Sequence, residues 1–153
     1  MNLKKNYYLG IDIGSTTFKA VVLTANKEIL HETYQRTKPM ESGHLACTGK
    51  CTSCGRCNMG AIKKTVETFL AEVNLKFEDM ACIGVTGSQI VEDTRKFIPF
   101  DFQISEVSAH VTGAKHFVPD ADAIIDCGGQ DSKCMVYDPV MDMRLSMMSS
   151  AAV

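Results

Sequence analysis

Gly10-Ile11-Asp12-Ile13-Gly14-Ser15-Thr16-Thr17-Phe18-Lys19 joins the end of one apolar, β-prone run to the start of another. Tyr7 to Ile13 reads as a strand, and Thr17 to Thr24 as a second strand after a tight turn. A second stretch repeats the design: Ile124-Ile125-Asp126-Cys127-Gly128-Gly129-Gln130-Asp131-Ser132-Lys133. Each closes an apolar run with Asp, turns on Gly and opens a further β-prone run.

The residue types in these turns suit a phosphate and a metal. A phosphate needs several backbone N–H groups pointing into one concavity, and Gly lets the chain approach closely. In the first turn Gly14 supplies that freedom, Ser15, Thr16 and Thr17 add hydroxyl donors, and Lys19 adds charge. Asp12 ends its strand where a carboxylate can hold hydrated Mg²⁺, which prefers oxygen ligands and keeps several waters. In the second turn Asp126 takes the corresponding place, Gly128 and Gly129 allow close approach, and Gln130 and Asp131 stand at the rim. Either turn alone also reads as an ordinary hairpin. Two of one design carry more weight.

Working outward, Glu28 to Arg36 reads as a third strand, so the chain opens with a three-stranded antiparallel meander. Pro39 to Asn58 interrupts the pattern with three Gly and four Cys, a loop long enough to carry function. From Met59 the period becomes helical, with Ile62, Val66, Phe69, Leu70 and Val73 on one face. Ala81 to Thr86 reads as a fourth strand, Ser88 to Lys96 as a short helix capped by Ser88, and Ala123 to Cys127 as a fifth strand. Between them, Ser105 to Phe117 reads as a helix with Ser105 as N-cap and Glu106 in its first turn, where a carboxylate suits the helix dipole. His110, one turn on, is within reach of Glu106, though a structural histidine is the plainer reading.

The chain has 153 residues with 45% hydrophobic and 22% charged residues, which suits one globular domain. Its 16 Lys and Arg against 18 Asp and Glu leave a net charge of −2, so a nucleic-acid footprint is not expected. No apolar stretch has the length of a membrane span, and the first residues carry no signal-peptide pattern. A cytoplasmic setting is expected. Seven Cys, an odd number, also favour a reducing interior over a disulfide framework. Cys82, Cys127 and Cys134 stand in apolar runs and read as small core residues. Cys47, Cys51, Cys54 and Cys57 form C-x3-C-x2-C-x2-C, the ferredoxin-type spacing in reverse order. Four thiolates so close together can wrap one [4Fe–4S] cluster. Zn²⁺ is the main rival, although four-Cys zinc sites usually pair two separated knuckles. Unligated reduced cysteines remain a third reading.

The paired turns resemble the phosphate motifs of the actin, sugar-kinase and heat-shock-chaperone ATPase superfamily. The wording is closer to one branch. The first turn, Val85-Thr86-Gly87, Ser105-Glu106-Val107-Ser108-Ala109-His110 and Gly128-Gly129-Gln130-Asp131-Ser132-Lys133, in that order, resemble the BadF/BadG/BcrA/BcrD-type ATPases. These are the ATPase activators of 2-hydroxyacyl-CoA dehydratases and benzoyl-CoA reductases. The resemblance implies an RNase-H-like α/β domain over 1–142, with a mixed five-stranded sheet, the first three strands antiparallel, flanking helices and the cysteine-rich loop at 40–58.

It also implies roles. Asp12 and Asp126 would flank Mg²⁺ through water, Gly14 to Thr17 and Gly128 to Gln130 would cradle the phosphates of ATP, and Glu106 would orient the attacking water. The protein would couple Mg-ATP to low-potential electron transfer onto a CoA-thioester dehydratase or reductase, and would be able to form a homodimer. Two departures stand against this. The family's cluster cysteines lie in the second half of its fold and bridge two subunits, and Leu145 to Val153 holds neither Cys nor Gly at the corresponding place. Residues 143–153 therefore read as a truncated or frameshifted tail, and the chain as the N-terminal half. An iron–sulfur or zinc module on an incomplete, non-hydrolysing ATPase half is the alternative, as is a fragment of a sugar or acetate kinase.

Overall fold

The computed structural model describes residues 6–14, 17–36, 54–90, 92–127, 132–136 and 144–148, with backbone alone for 54–61, 93 and 144–148. The chain divides into two compact units, Met1–Gln103 and Ile104–Val153.

In the first unit, strand alternation sets the core. Leu9, Ile11 and Ile13 of β1 (Tyr7–Ile13) are buried, as are Phe18, Ala20 and Val22 of β2 (Thr17–Thr24). Every second side chain of a strand points to the same face, so these six line one side of the sheet. Helix α1 (Cys54–Ala71) covers that side with Ile62, Val66, Phe69 and Leu70, which share one stripe at helical spacing. β3 (Ile29–Arg36) is largely exposed. His31 nevertheless ties it to α1, stacking on Phe69 at 4.6 Å between ring centroids and donating from Nε2 to Glu72 at 2.8 Å.

Among the described residues this unit holds a five-stranded sheet of order β3-β2-β1-β4-β5. β1 pairs antiparallel with β2, and β2 with β3, which makes the expected meander. β4 (Met80–Thr86) returns after α1 to run parallel to β1, and β5 (Phe102–Gln103) lies parallel to β4. The fifth strand of the sheet is thus Phe102–Gln103 and not Ala123–Cys127. Asp101 fixes that edge: its Oδ2 accepts from the Ile83 N–H at 2.7 Å, and its own N–H donates to the Ile83 carbonyl at 2.8 Å.

Two further expectations shift. α1 begins at Cys54, so the long loop ends before Asn58, and positions 54 and 57 stand in the first helical turn. Ser88 opens no α-helix. Gln89 donates its N–H to the Ile13 carbonyl at 3.0 Å, which holds 87–89 in a turn, and only Glu92–Lys96 coils, as a 3-10 helix.

The second unit starts with α2 (Glu106–Phe117), whose N-cap is Ser105: the Ser108 N–H donates to Ser105 Oγ at 3.1 Å. β6 (Ala123–Cys127), β7 (Ser132–Val136) and β8 (Arg144–Met148) form a three-stranded antiparallel meander among the described residues. Met135 of β7 is fully buried. β8 falls within the segment that reads as a tail.

Candidate nucleotide site

Asp12 lies on the face of the sheet opposite the core, because Ile11 and Ile13 on either side point inward. Its register partners are Lys19 on β2 and Thr86 on β4. Directly paired residues share a face, so Lys19 can reach across. Its Nζ stands 2.8 Å from Asp12 Oδ2. The carboxylate is mostly covered, at 19% side-chain exposure, whereas the lysine keeps 40%. Thus Asp12 and Lys19 come together as one ion pair beside the first turn.

That turn closes with the Gly14 N–H donating to the Thr17 carbonyl at 2.9 Å. A Cβ on Gly14 would lie 3.1 Å from that same oxygen. Ser15 and Thr16 fall outside the described residues. The adjoining end of β4 packs backbone to backbone. Gly87 has φ +115°, and a Cβ there would lie 2.4 Å from the Ile13 carbonyl oxygen. Only Gly fits. The Val-Thr-Gly string therefore shapes the end of β1 just past Asp12.

In the second unit, α2 faces the β6–β7 hairpin through two close side-chain approaches. Glu106, in the first turn, is 3.3 Å from Lys133 Nζ through Oε2. His110, one turn on, places Nδ1 2.9 Å from Asp126 Oδ2. The approach is close but out of line for a hydrogen bond, so this buried nitrogen has no hydrogen-bond partner. Asp126 and Lys133 are themselves cross-strand partners. His110 thus meets Asp126 rather than Glu106. Gly128, Gly129, Gln130 and Asp131 lie outside the described residues.

Sequence reasoning missed both long-range partners. Lys133 was visible in the Gly-Gly-Gln-Asp-Ser-Lys string, but not its contact with Glu106. His110 gave only its helical spacing.

The cysteines divide. Cys47 and Cys51 lie outside the described residues, and of Cys54 and Cys57 only the backbone is described. Among the described residues no three His, Cys, Asp or Glu come together as a metal cage. The scattered three are not core residues: Cys82 and Cys134 are half-buried, and Cys127 is exposed. Burial, then the neighbouring Asp101 carboxylate and its hydrogen bond, push the Cys82 thiol up, against a smaller opposing effect of the Ile83 backbone. Such a thiol is a poor nucleophile.

The BadF/BadG/BcrA/BcrD ATPase family matches residues 9–152 of this sequence. The chain belongs to that family. The match runs through β8, beyond the point where the motif resemblance fades. An activator of lactoyl-CoA dehydratase from Anaerotignum propionicum is 34% identical over 132 residues, 86% of this chain and 42% of the relative. Among solved structures, component A of the (R)-2-hydroxyglutaryl-CoA dehydratase of Acidaminococcus fermentans superposes with a TM-score of 0.68 at 28% identity. That alignment covers 95% of this chain and 49% of the other. The activator of the 2-hydroxyisocaproyl-CoA dehydratase from Clostridium difficile, with bound ADPNP, gives 0.66 at 26% identity, over 95% and 47%. The chain spans about two fifths of the length of the curated relatives it matches, 41% or 42% in each. The fold is that of the actin-like ATPases, with the mixed five-stranded sheet and antiparallel first three strands expected of this family. Among the described residues no helix is long and apolar enough to cross a membrane.

Proposed function

We propose that this chain binds Mg-ATP and serves as the nucleotide-handling part of an ATP-dependent activator of a CoA-thioester dehydratase or reductase. The observation that carries this is the family match over residues 9–152, which takes in both Asp-closed strands and the helix that opens with Glu106. The ADPNP bound by the structural relative supports the nucleotide.

Asp12 and Asp126 each supply carboxylate oxygens of the kind Mg²⁺ prefers. Asp12 offers a mostly covered carboxylate, paired with the Lys19 ammonium at 2.8 Å. Asp126 offers a second carboxylate, 21% exposed. Bound Mg²⁺ would neutralise phosphate charge. Gly14 to Thr17 and Gly128 to Gln130 would bind the phosphates through backbone N–H groups and hydroxyls, and Lys19 would turn from Asp12 toward them. Glu106 would accept a hydrogen bond from the attacking water and orient it. Positioning and electrostatic stabilisation account for most of phosphoryl-transfer catalysis. The domain architecture we propose is one nucleotide-binding domain over 1–142, and the setting is the cytoplasm.

Coupling to electron transfer rests on the four clustered cysteines. Positions 54 and 57 stand in the first turn of α1, where the helix dipole favours thiolates. A [4Fe–4S] cluster held by Cys47, Cys51, Cys54 and Cys57 would supply a low-potential electron. Nucleotide-driven rearrangement of the protein would then govern its passage to the partner. Zn²⁺ on the same four thiols is the second reading, supported by the same donor set. A homodimer remains part of the proposal.

Anaerobic purification followed by iron, sulfide and zinc analysis decides between them. Four iron and four sulfide per chain are expected for the cluster. Colourless protein with one zinc would remove the electron-transfer role. Glu106→Ala should lower ATP turnover with nucleotide affinity kept, and unchanged turnover would remove its assigned role.

A further inference from the structure

Four side chains of the second unit close a ring. Glu106 and His110 stand one turn apart on α2, so they face the same way. Asp126 and Lys133 are directly opposed across the β6–β7 ladder, so they share a face of the hairpin. Glu106 meets Lys133 at 3.3 Å, and His110 meets Asp126 at 2.9 Å. The two carboxylates sit at opposite corners, and each has a nitrogen from the other element within 3.3 Å. Lys133 is well covered for a lysine, at 13% exposure. Ordering a long side chain under cover is costly in rotamer entropy, so its place reflects what it holds. The buried His110 Nδ1 has no hydrogen-bond partner although a carboxylate oxygen lies within reach. A small rotation of Asp126 toward alignment would satisfy it.

We infer that His110 and Lys133 are positioning residues. His110 sets the orientation of the Asp126 carboxylate, and Lys133 that of Glu106. The inference rests on the roles proposed for Asp126 and Glu106 above. The ring ties the first two turns of α2 to the turn end of the hairpin, so the metal-side carboxylate and the water-side carboxylate are placed as a unit. On this reading His110 acts on the metal only through Asp126. It acts as an outer-shell partner, and loss of such a partner typically costs 10- to 100-fold in metal affinity.

Two measurements on the 153-residue chain test this. ADPNP is titrated into wild type, His110→Leu and His110→Asn by calorimetry, with and without Mg²⁺. In His110→Leu the affinity gained on adding Mg²⁺ should fall by about 10- to 100-fold, with metal-free affinity unchanged. His110→Asn, which keeps a nitrogen near the Nδ1 position, should recover most of it. Equal losses with and without metal, or no loss, would overturn the role of His110. Urea unfolding of Glu106→Gln, Lys133→Met and the double variant forms a cycle, as does His110→Leu with Asp126→Asn. Each double variant should be no less stable than its worse single variant. Additive losses would show that the pairs are not coupled and would overturn the ring. If wild type binds no ADPNP, the functional reading fails, and the two urea cycles still decide the ring.

Discussion

Gly87→Ala is the sharpest structural test of how β1 is shaped beside the candidate site. Gly87 directly follows β4 with φ +115°, a conformation that costs a side-chain-bearing residue of order 1–3 kcal/mol. An added Cβ would stand 2.4 Å from the Ile13 carbonyl oxygen, 2.5 Å from its carbon and 2.7 Å from its nitrogen. All three are backbone atoms of a central strand, so no flexible side chain can yield. Pushing the strands apart also strains the bond from Gln89 N–H to the Ile13 carbonyl, a net contribution of about 0.5–1.5 kcal/mol. Together these predict a loss of roughly 2–4 kcal/mol. With a urea m-value of about 1–3 kcal/mol/M, the midpoint should fall by roughly 0.7–4 M. Gly113→Ala is the internal control. Nothing lies within 4 Å of a Cβ there, and the position is inside α2, so Ala should stabilise by about 0.8–1.0 kcal/mol. Urea unfolding followed by circular dichroism reads both. A Gly87→Ala midpoint within error of wild type would refute the reasoning.

Other outcomes follow from single contacts. Ser105→Ala removes the α2 N-cap and should cost about 1 kcal/mol in urea unfolding, while Ser105→Asp should keep most of that stability. The Cys82 thiol is held above its ordinary pKa, so the folded chain keeps its proton where the unfolded chain has released it. This contribution is fully present below the unfolded thiol's pKa and is lost as pH rises through the folded value. Stability measured at increasing alkaline pH should fall less steeply in Cys82→Ala than in wild type. Leu70→Ala empties a fully buried site between α1 and the sheet and should cost about 2–5 kcal/mol in the same assay.

The strands that carry the candidate residues were legible because period-two burial is a local signal. Leu9, Ile11 and Ile13, then Phe18, Ala20 and Val22, alternate without a break, and Gly14 marks the turn between them. The α1 stripe from Ile62 to Leu70 was equally plain. Its start was not, because Gly55, Asn58 and Gly60 are weak helix formers and obscure the first two turns. β5 has two residues and no periodicity at all. Its place is set by Asp101 binding both the N–H and the carbonyl of Ile83, a contact spanning 18 residues. The same holds for the site. Asp12, Lys19, Glu106 and Asp126 are candidates by type and position. Lys133 with Glu106, and His110 with Asp126, depend on how α2 lies on its hairpin, which no local pattern encodes.

The central claim is that the Asp-closed strands bind a Mg²⁺-nucleotide. Calorimetric titration of Mg-ADPNP into wild type and Asp12→Ala tests it most directly. The account predicts saturable binding by wild type and at least a tenfold weaker Kd, about 1.4 kcal/mol, in Asp12→Ala. Equal affinity in the two proteins, or none in wild type, would contradict it.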